Sequence, residues 1–193
     1  DIRSELLARV PDWKEWRISH VVLDGGSLAS ATEPVREAVT RKLRLVAVNL
    51  PKFRGILSFF NQPGRMFADE ISDRLKVIAC IEKPNLTHSE EFRPGLAGDD
   101  FSGVRERLGA KPEDAQILFW GPEADVKTAL ETIEERCRLA FVGVPNETRK
   151  SLPDGTTLFE RVLPGADRMY PDTDSAPIPV TQEQIDRVRS RLP

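Results

Sequence analysis

The segment RMYPDTD, Arg168 to Asp174, concentrates side chains whose types and spacing could do chemistry. Asp172 and Asp174 are two positions apart, so an extended backbone would place both carboxylates on the same side. Carboxylate oxygens are the ligands that hard cations such as Mg²⁺ prefer. Arg168 and Tyr170 continue the two-residue spacing, which predicts an edge of four polar side chains. The alternative, favoured by the spacing alone, is a turn in which aspartate caps its own backbone.

A second group consists of candidates for contact with RNA, namely Lys52, Arg54, Arg65 and His88. Lysine and arginine supply most phosphate contacts in nucleic-acid complexes. Arg65 follows a Pro-Gly turn in NQPGRMFADEISDRL, and His88 lies in the polar stretch THSEE. The structural alternative is that NQPG is only a turn before a helix, and that the charged groups are simply solvated.

The composition excludes several other classes of function. A net charge of −3 argues against a surface devoted entirely to nucleic acid. The phosphate-binding patterns GxxxxGK[ST] and GxGxxG are absent from the sequence, as is a paired CxxC zinc motif. The two histidines have no nucleophile arranged for a catalytic triad. Cys80 and Cys137 each lie in an apolar pattern, which predicts reduced cysteines in the core.

Hydrophobic periodicity predicts the elements that must position these residues. Strands are predicted at residues 18–23, 45–50, 76–82, 115–121 and 156–163, the second and third as buried strands. Helices are predicted at residues 3–10, 32–43, 66–75, 101–108 and 122–141. Thr181 and Gln184 form a capping pair that predicts a last helix. In the strand AQILFWG, Ile117 and Phe119 are expected on one face, with Leu118 and Trp120 on the other.

These elements predict an α+β fold with two layers, in which helices cover one face of a sheet. Periodicity does not determine strand direction, so a parallel sheet remains open. Three parts are expected: an N-terminal flanking segment (1–40), a compact domain (41–145) and a Pro-rich segment (146–193).

Several motifs resemble GatE, a subunit of the archaeal-type glutamyl-tRNA(Gln) amidotransferases. The stretch PNETRKSLPDGTTLFERVLPGADRMYPDTDSAPIP carries the most specific similarity. Upstream, VAVNLPKFRGIL, NQPGRMFADEISDR and THSEE resemble the inserted domain of GatE, called GAD, which is shared with B-type subunit relatives and bacterial aspartyl-tRNA synthetases. The resemblance covers about residues 45–180. The family has Glu where this chain has Asp172 and Pro where it has Ala176.

The resemblance implies a fragment of an enzyme that converts glutamate on tRNA(Gln) to glutamine, using ATP, Mg²⁺ and ammonia from the partner subunit GatD. Residues 41–145 would be a GAD-type insert that helps position tRNA, and 146–193 would return to a catalytic cradle. Arg168, Tyr170, Asp172 and Asp174 would border the activation pocket. The fragment alone is expected to be inactive and to hold no cofactor tightly. In this family QPGR would be a structural corner first and an RNA contact second.

A competing hypothesis is a non-catalytic scaffolding module that contacts other proteins through an exposed apolar sheet face. The location is expected to be cytoplasmic, with no membrane partner, because no apolar stretch is long enough to span a bilayer and DIRSELLARV does not have the layout of a signal peptide. Asp1 stands where a translated chain would have Met, which predicts processing or a longer parent protein.

Overall fold

A computed structural model describes residues 1–24, 33–91, 98–162 and 179–191. The chain divides into a compact unit, Asp1–Val162, and a second unit, Leu163–Pro193. The division at residues 40 and 145 that the sequence suggested stays a prediction about the parent protein. In the described ranges, no helix is long and apolar enough to cross a membrane.

The elements follow in chain order. The helices are α1 (Ile2–Arg9), α2 (Glu33–Thr40), α3 (Phe67–Ile78), α4 (Gly98–Leu108), α5 (Val126–Val142) and α6 (Gln182–Arg189). The strands are β1 (Ser19–Leu23), β2 (Arg44–Leu50), β3 (Phe60–Gln62), β4 (Arg65–Met66), β5 (Leu86–His88), β6 (Ala115–Gly121), β7 (Glu147–Ser151) and β8 (Thr157–Val162).

A four-stranded sheet in the order β1-β2-β6-β5 forms the centre of the first unit. Its three strand pairs are all antiparallel, with Val46 opposite Phe119 in the central pair. This settles the strand direction that periodicity left open. Two hairpins, β3–β4 and β7–β8, form separate antiparallel ribbons.

Helices cover both faces of this sheet. On one face Val46, Val48, Ile117 and Phe119 pack with residues of α1, α3 and α5. On the other face the core joins strand residues to α2 and α4; it includes Leu45, Ala47, Leu118, Trp120, Val35, Ala38, Phe101 and Val104. The predicted α+β class and the alternation in β6 are confirmed. The expectation of helices on one face was wrong, because strands that are apolar at successive positions must be covered on both sides.

The segment KVIACIE, 76–82, is not a strand. Helix α3 continues to Ile78, because Phe67, Ile71, Leu75 and Ala79 keep one buried stripe at four-residue spacing. The β-branched run suggested a strand, but the buried stripe packs in the core as a helix. The edge strand that pairs with β6 is instead β5, which lies in a stretch that was predicted as a polar loop.

The two cysteines differ in environment. Cys137 is buried on α5, as predicted. Cys80 is exposed, so its assignment to the core was wrong. It follows the end of α3 with a backbone φ of 56°, a left-handed conformation that turns the chain out of the helix.

Helix α5 and helix α6 lie where the sequence predicted them. Helix α6 begins with a capping box, in which the Thr181 hydroxyl and the Gln184 amide each accept the other's backbone N–H. Strand β8 also matches its prediction, whereas its partner β7 was not predicted.

Candidate functional site

The four residues of the predicted chemical edge, Arg168, Tyr170, Asp172 and Asp174, lie outside the described residues. Their roles therefore stay predictions. Strand β8 is the last described element before them and ends at Val162.

The NQPG corner is the turn of the hairpin β3–β4, where Gly64 has a φ of 70°. Gln62 extends from it to the first residue of β8. Its Nε2 donates to the Thr157 carbonyl at 2.9 Å, and its Oε1 accepts the Thr157 N–H at 2.7 Å. The corner is thus a structural clamp on the strand that precedes the predicted edge.

Arg65, from the same corner, has an intramolecular partner. Its Nη2 donates to Asp73 Oδ2 at 2.5 Å, and 21% of its side chain is exposed. Lys83 forms an ion pair with the other oxygen of Asp73. Arg65 therefore has a structural role as the partner of Asp73, and its contact with RNA stays a prediction.

Lys52 and Arg54 lie together in the turn after β2. The Lys52 ammonium donates to Glu113 at 2.7 Å. Arg54 is exposed, and its Nη1 donates to the Pro112 carbonyl at 3.3 Å. Arg9 holds this turn by donating from Nη1 to both the Lys52 and the Arg54 carbonyls.

His88 is 3% exposed, so its imidazole is not presented to a ligand in solution. Burial lowers its pKa, against the opposing carboxylates of Glu91 and Glu90. Its Nδ1 accepts the backbone N–H of Glu90 at 3.3 Å. Of the four candidates for RNA contact, Arg54 is the one that the structure leaves exposed.

A buried charge cluster, which the sequence analysis missed, joins α3, α5 and the hairpin β7–β8. Its members are Glu70, Arg74, Arg136, Glu147 and Arg149. Arg136 donates to Glu70 Oε2 from Nε at 3.0 Å and from Nη2 at 2.6 Å. Arg149 Nη2 donates to Glu70 Oε1 at 3.1 Å, and its Nη1 donates to Glu147 at 2.5 Å. Arg74 forms an ion pair with the other oxygen of Glu147.

The electrostatics of this cluster favour the carboxylate form of Glu70. Burial raises the pKa of Glu70, but the guanidinium groups of Arg136, Arg149 and Arg74 outweigh it, so the pKa lies below its ordinary value. Burial lowers the pKa of Arg74, with Glu147 opposing.

Two arginines of the cluster also pack on aromatic rings. The Cζ of Arg74 lies 4.3 Å from the centroid of Phe159, and that of Arg136 lies 4.4 Å from the centroid of Phe67. Such cation–π contacts stabilise a guanidinium that has lost water. They hold the two arginines in fixed positions.

A cavity of about 560 Å³ lies beside this cluster. Glu70, Arg136 and Arg149 form part of its lining, and Gln62 and Thr157 of the corner clamp form another part. The remaining lining comes from α1 and its N-cap, from Phe59 and Asn61, from α3 and α5, and from the loop after α5. It is mainly apolar, and its charged members are Asp1 and Arg3. The structure thus brings the corner and the charge cluster to one concave site.

One signal in the sequence could have revealed this site. Arg136 is three residues after Ile133 and four before Ala140, which places a charge on the apolar stripe of α5. Glu70 similarly follows Phe67 by three residues on α3. A charge on a buried stripe requires a partner of opposite charge. Periodicity does not identify that partner.

Within the described ranges, no group of three or more His, Cys, Asp or Glu side chains could hold a metal ion. Asp172 and Asp174, the predicted Mg²⁺ ligands, lie outside those ranges.

No protein-family model matches the chain. Individual proteins do match. The chain is 40% identical over 151 residues to the glutamyl-tRNA(Gln) amidotransferase GatE of Pyrococcus furiosus, covering 78% of this chain and 23% of that protein. The GatE of Methanocaldococcus jannaschii is 41% identical over 151 residues, covering 78% and 24%.

The GatE of Methanococcus maripaludis aligns with the whole chain, at 34% identity over 196 residues and 30% of its own length. The chain thus spans between 23% and 30% of the length of these curated relatives. It is homologous to a segment of the glutamyl-tRNA(Gln) amidotransferase GatE.

Proposed function

We propose that this chain is part of a tRNA-dependent amidotransferase, a carbon–nitrogen ligase that converts Glu-tRNA(Gln) to Gln-tRNA(Gln). The observation that carries the proposal is the identity of 40% and 41% to the GatE proteins of two archaea. In this proposal residues 41–145 form the GAD-type insert, 1–40 flank it, and 146–193 return to a catalytic cradle. The segment alone is inactive.

The chemistry belongs to the edge formed by residues 168–174. ATP would activate the γ-carboxylate of glutamate, and ammonia would come from the partner subunit GatD. Asp172 and Asp174 would hold Mg²⁺ through their carboxylates. Arg168 would bind phosphate through its guanidinium, and Tyr170 would border the same pocket.

The insert would position tRNA(Gln) relative to that edge. The Gln62–Thr157 clamp supports this role, because it ties the corner of the insert to β8, the last described strand before residues 168–174 in the chain. Arg54 is the candidate for contact with phosphate, because it is exposed.

A chimeric protein tests the catalytic part. This chain replaces its matching segment in the Pyrococcus furiosus GatE, and formation of Gln-tRNA(Gln) is measured with GatD present. The chimera should be active, and the double substitution Asp172→Asn, Asp174→Asn should lower its activity by about a hundredfold if both carboxylates hold Mg²⁺. The matched control is Asp186→Asn on α6, which should leave activity unchanged. A double variant as active as the chimera would overturn the assignment.

Binding of tRNA(Gln) to the 193-residue chain tests the positioning part. Fluorescence anisotropy at about 50 and about 200 mM salt should show a steep loss of affinity as salt rises. Arg54→Gln should weaken binding and lower the salt slope by about one. The control is Arg107→Gln, which changes an exposed arginine on α4, away from the turn that holds Arg54 in the sequence. Salt-independent or absent binding would exclude contact between this chain and tRNA.

The scaffolding hypothesis requires an exposed apolar face on the sheet. Both faces of the described sheet are covered by helices, which leaves this alternative without its expected surface.

A further inference from the structure

We propose that the cavity beside the charge cluster binds a small organic monoanion, a carboxylate carried on an apolar body. This goes beyond the proposed function and does not depend on tRNA. It rests on three observations: the charge balance of the cluster, a buried donor without a partner on an arginine of the cavity lining, and the chemistry of the cavity walls.

The cluster carries one excess positive charge. Arg74, Arg136 and Arg149 face Glu70 and Glu147, and the ion pairs among them use both oxygens of each carboxylate. An uncompensated charge is costly where water is excluded. A ligand with one negative charge would balance the cluster.

Two buried donors of the cluster have no hydrogen-bond partner among the described residues, Nε of Arg74 and Nη1 of Arg136, and of these two arginines Arg136 is the one that lines the cavity. Its Nε and Nη2 both donate to Glu70, whereas its buried Nη1 has no hydrogen-bond partner among the described residues. The Arg136 side chain is 7% exposed and lines the cavity. A buried donor left unpaired costs stability, and a carboxylate oxygen is the acceptor that a guanidinium bonds most strongly.

A second arginine of the cluster that lines the cavity has no such capacity. Arg149 donates from Nη1 to Glu147, from Nη2 to Glu70 and from Nε to the Thr157 hydroxyl. Arg3 and Asp1 also line the cavity, but their side chains carry opposite charges and leave the charge balance of the cluster unchanged. Because the cluster offers the cavity one available donor and one excess charge, it favours a carboxylate over a phosphate dianion.

The apolar walls of the cavity favour an apolar body for the rest of the ligand. Phe59, Phe67, Ala140, Val144 and Pro145 give the cavity apolar surface. Its volume of about 560 Å³ lies within the range of small-molecule sites. Val144 is 94% exposed, which places it at the opening. The ligand would bury an apolar body against the phenylalanines, with its carboxylate toward Arg136.

Titration of the 193-residue chain with benzoate tests the proposal. Amide shifts in ¹H–¹⁵N NMR spectra should saturate and map to α5 and the loop after it. Benzamide, the neutral analogue, should bind about tenfold more weakly or less. Inorganic phosphate forms the third arm. Equal binding of benzamide, or tighter binding of phosphate, would overturn the monoanion assignment.

Two substitutions with opposite expected effects sharpen the test. Arg136→Gln removes the donor and should weaken benzoate by about tenfold or more. Glu70→Gln removes a competing carboxylate and should strengthen it by about tenfold. The control is Arg138→Gln, two residues along the same helix and outside the cavity lining. Wild-type affinity in Arg136→Gln, or weaker binding in Glu70→Gln, contradicts the proposal.

A surface variant keeps the test valid if the core variants fail to fold. Val144→Glu places a negative charge at the opening without disturbing the core, and should weaken benzoate more than benzamide. Val162→Glu adds the same charge outside the lining and should change neither. If Val144→Glu leaves benzoate binding unchanged, the ligand does not enter this cavity.

Discussion

Gln62 holds Thr157 through both atoms of its side-chain amide, so that a residue of the β3–β4 corner pairs with the backbone of β8 as a neighbouring strand would. The Gln62 Oε1 also lies 3.2 Å from the Thr157 hydroxyl, which donates to it. The corner is therefore part of what keeps the hairpin β7–β8 in place.

Gln62→Ala should lower the free energy of unfolding by about 1–3 kcal/mol, because a backbone group at the start of β8 loses its partner. Urea unfolding measures the loss, and hydrogen exchange should show faster opening of β7 and β8 than of β2 and β6. Gln182→Ala is the control, since among the described residues that side chain bonds to Asp186 alone, on the exposed helix α6. Unchanged exchange in the hairpin would show that the clamp has no structural role.

Glu147→Ala should destabilise the protein by about 3–5 kcal/mol. The side chain of Glu147 is 2% exposed and pairs with Arg74 and Arg149, so its removal leaves buried guanidinium groups without an anion. Chemical denaturation measures the change. The control is Glu131→Ala on α5, because Glu131 is exposed in its pair with Lys127 and should cause no measurable loss. Similar effects of the two substitutions would mean that the cluster does not stabilise the fold.

Stability should fall as the pH drops below neutrality because His88 is buried. Burial lowers the pKa of His88 below its ordinary value of 6.5. The stabilisation by the neutral imidazole is therefore complete above pH 6.5 and is lost as the pH falls through the lowered folded-state pKa. His88→Gln should flatten the dependence of the unfolding free energy on pH between about 5 and about 8.

The exposed histidine gives the matched control for this experiment. His20→Gln should leave the slope of the wild type. If the wild-type slope persisted in His88→Gln, titration of His88 would not be its cause.

The two thiols should react at very different rates. Burial raises the pKa of Cys137 to about 12, whereas Cys80 is exposed. Since the thiolate is the reactive form, a thiol reagent such as DTNB should modify one cysteine quickly in the native protein and the second only after unfolding. Cys80→Ser should abolish the fast phase, and Cys137→Ser should retain it. A fast phase in Cys80→Ser would contradict the burial of Cys137.

Local pattern was sufficient for most of the regular elements. The stripe of α5, the capping pair of α6 and the alternation of β6 depend on residues close in sequence, and each was predicted correctly. The segment 76–82 failed because an apolar β-branched run is compatible with a strand or with the end of a helix. Its outcome depended on the packing of Leu75 and Ala79 in the core.

The resemblance located the QPGR corner, but only the tertiary structure showed what it does. The bond between Gln62 and Thr157 spans 95 positions, and the bond between Arg136 and Glu70 spans 66. Periodicity contains no information on pairings at such separations. For the same reason the sequence suggested RNA contact for Arg65 and His88, whereas the fold gave one an internal ion pair and buried the other.

By itself, the sequence determined the α+β class, the apolar stripes and the similarity to GatE, because these depend on residue type and local order. Tertiary structure alone decided that the sheet is antiparallel and covered on both faces, and that a buried charge cluster lies beside a cavity. The physical reason is that burial and ion pairing depend on which segments, distant in sequence, come into contact. Strand pairing and helix packing determine those contacts.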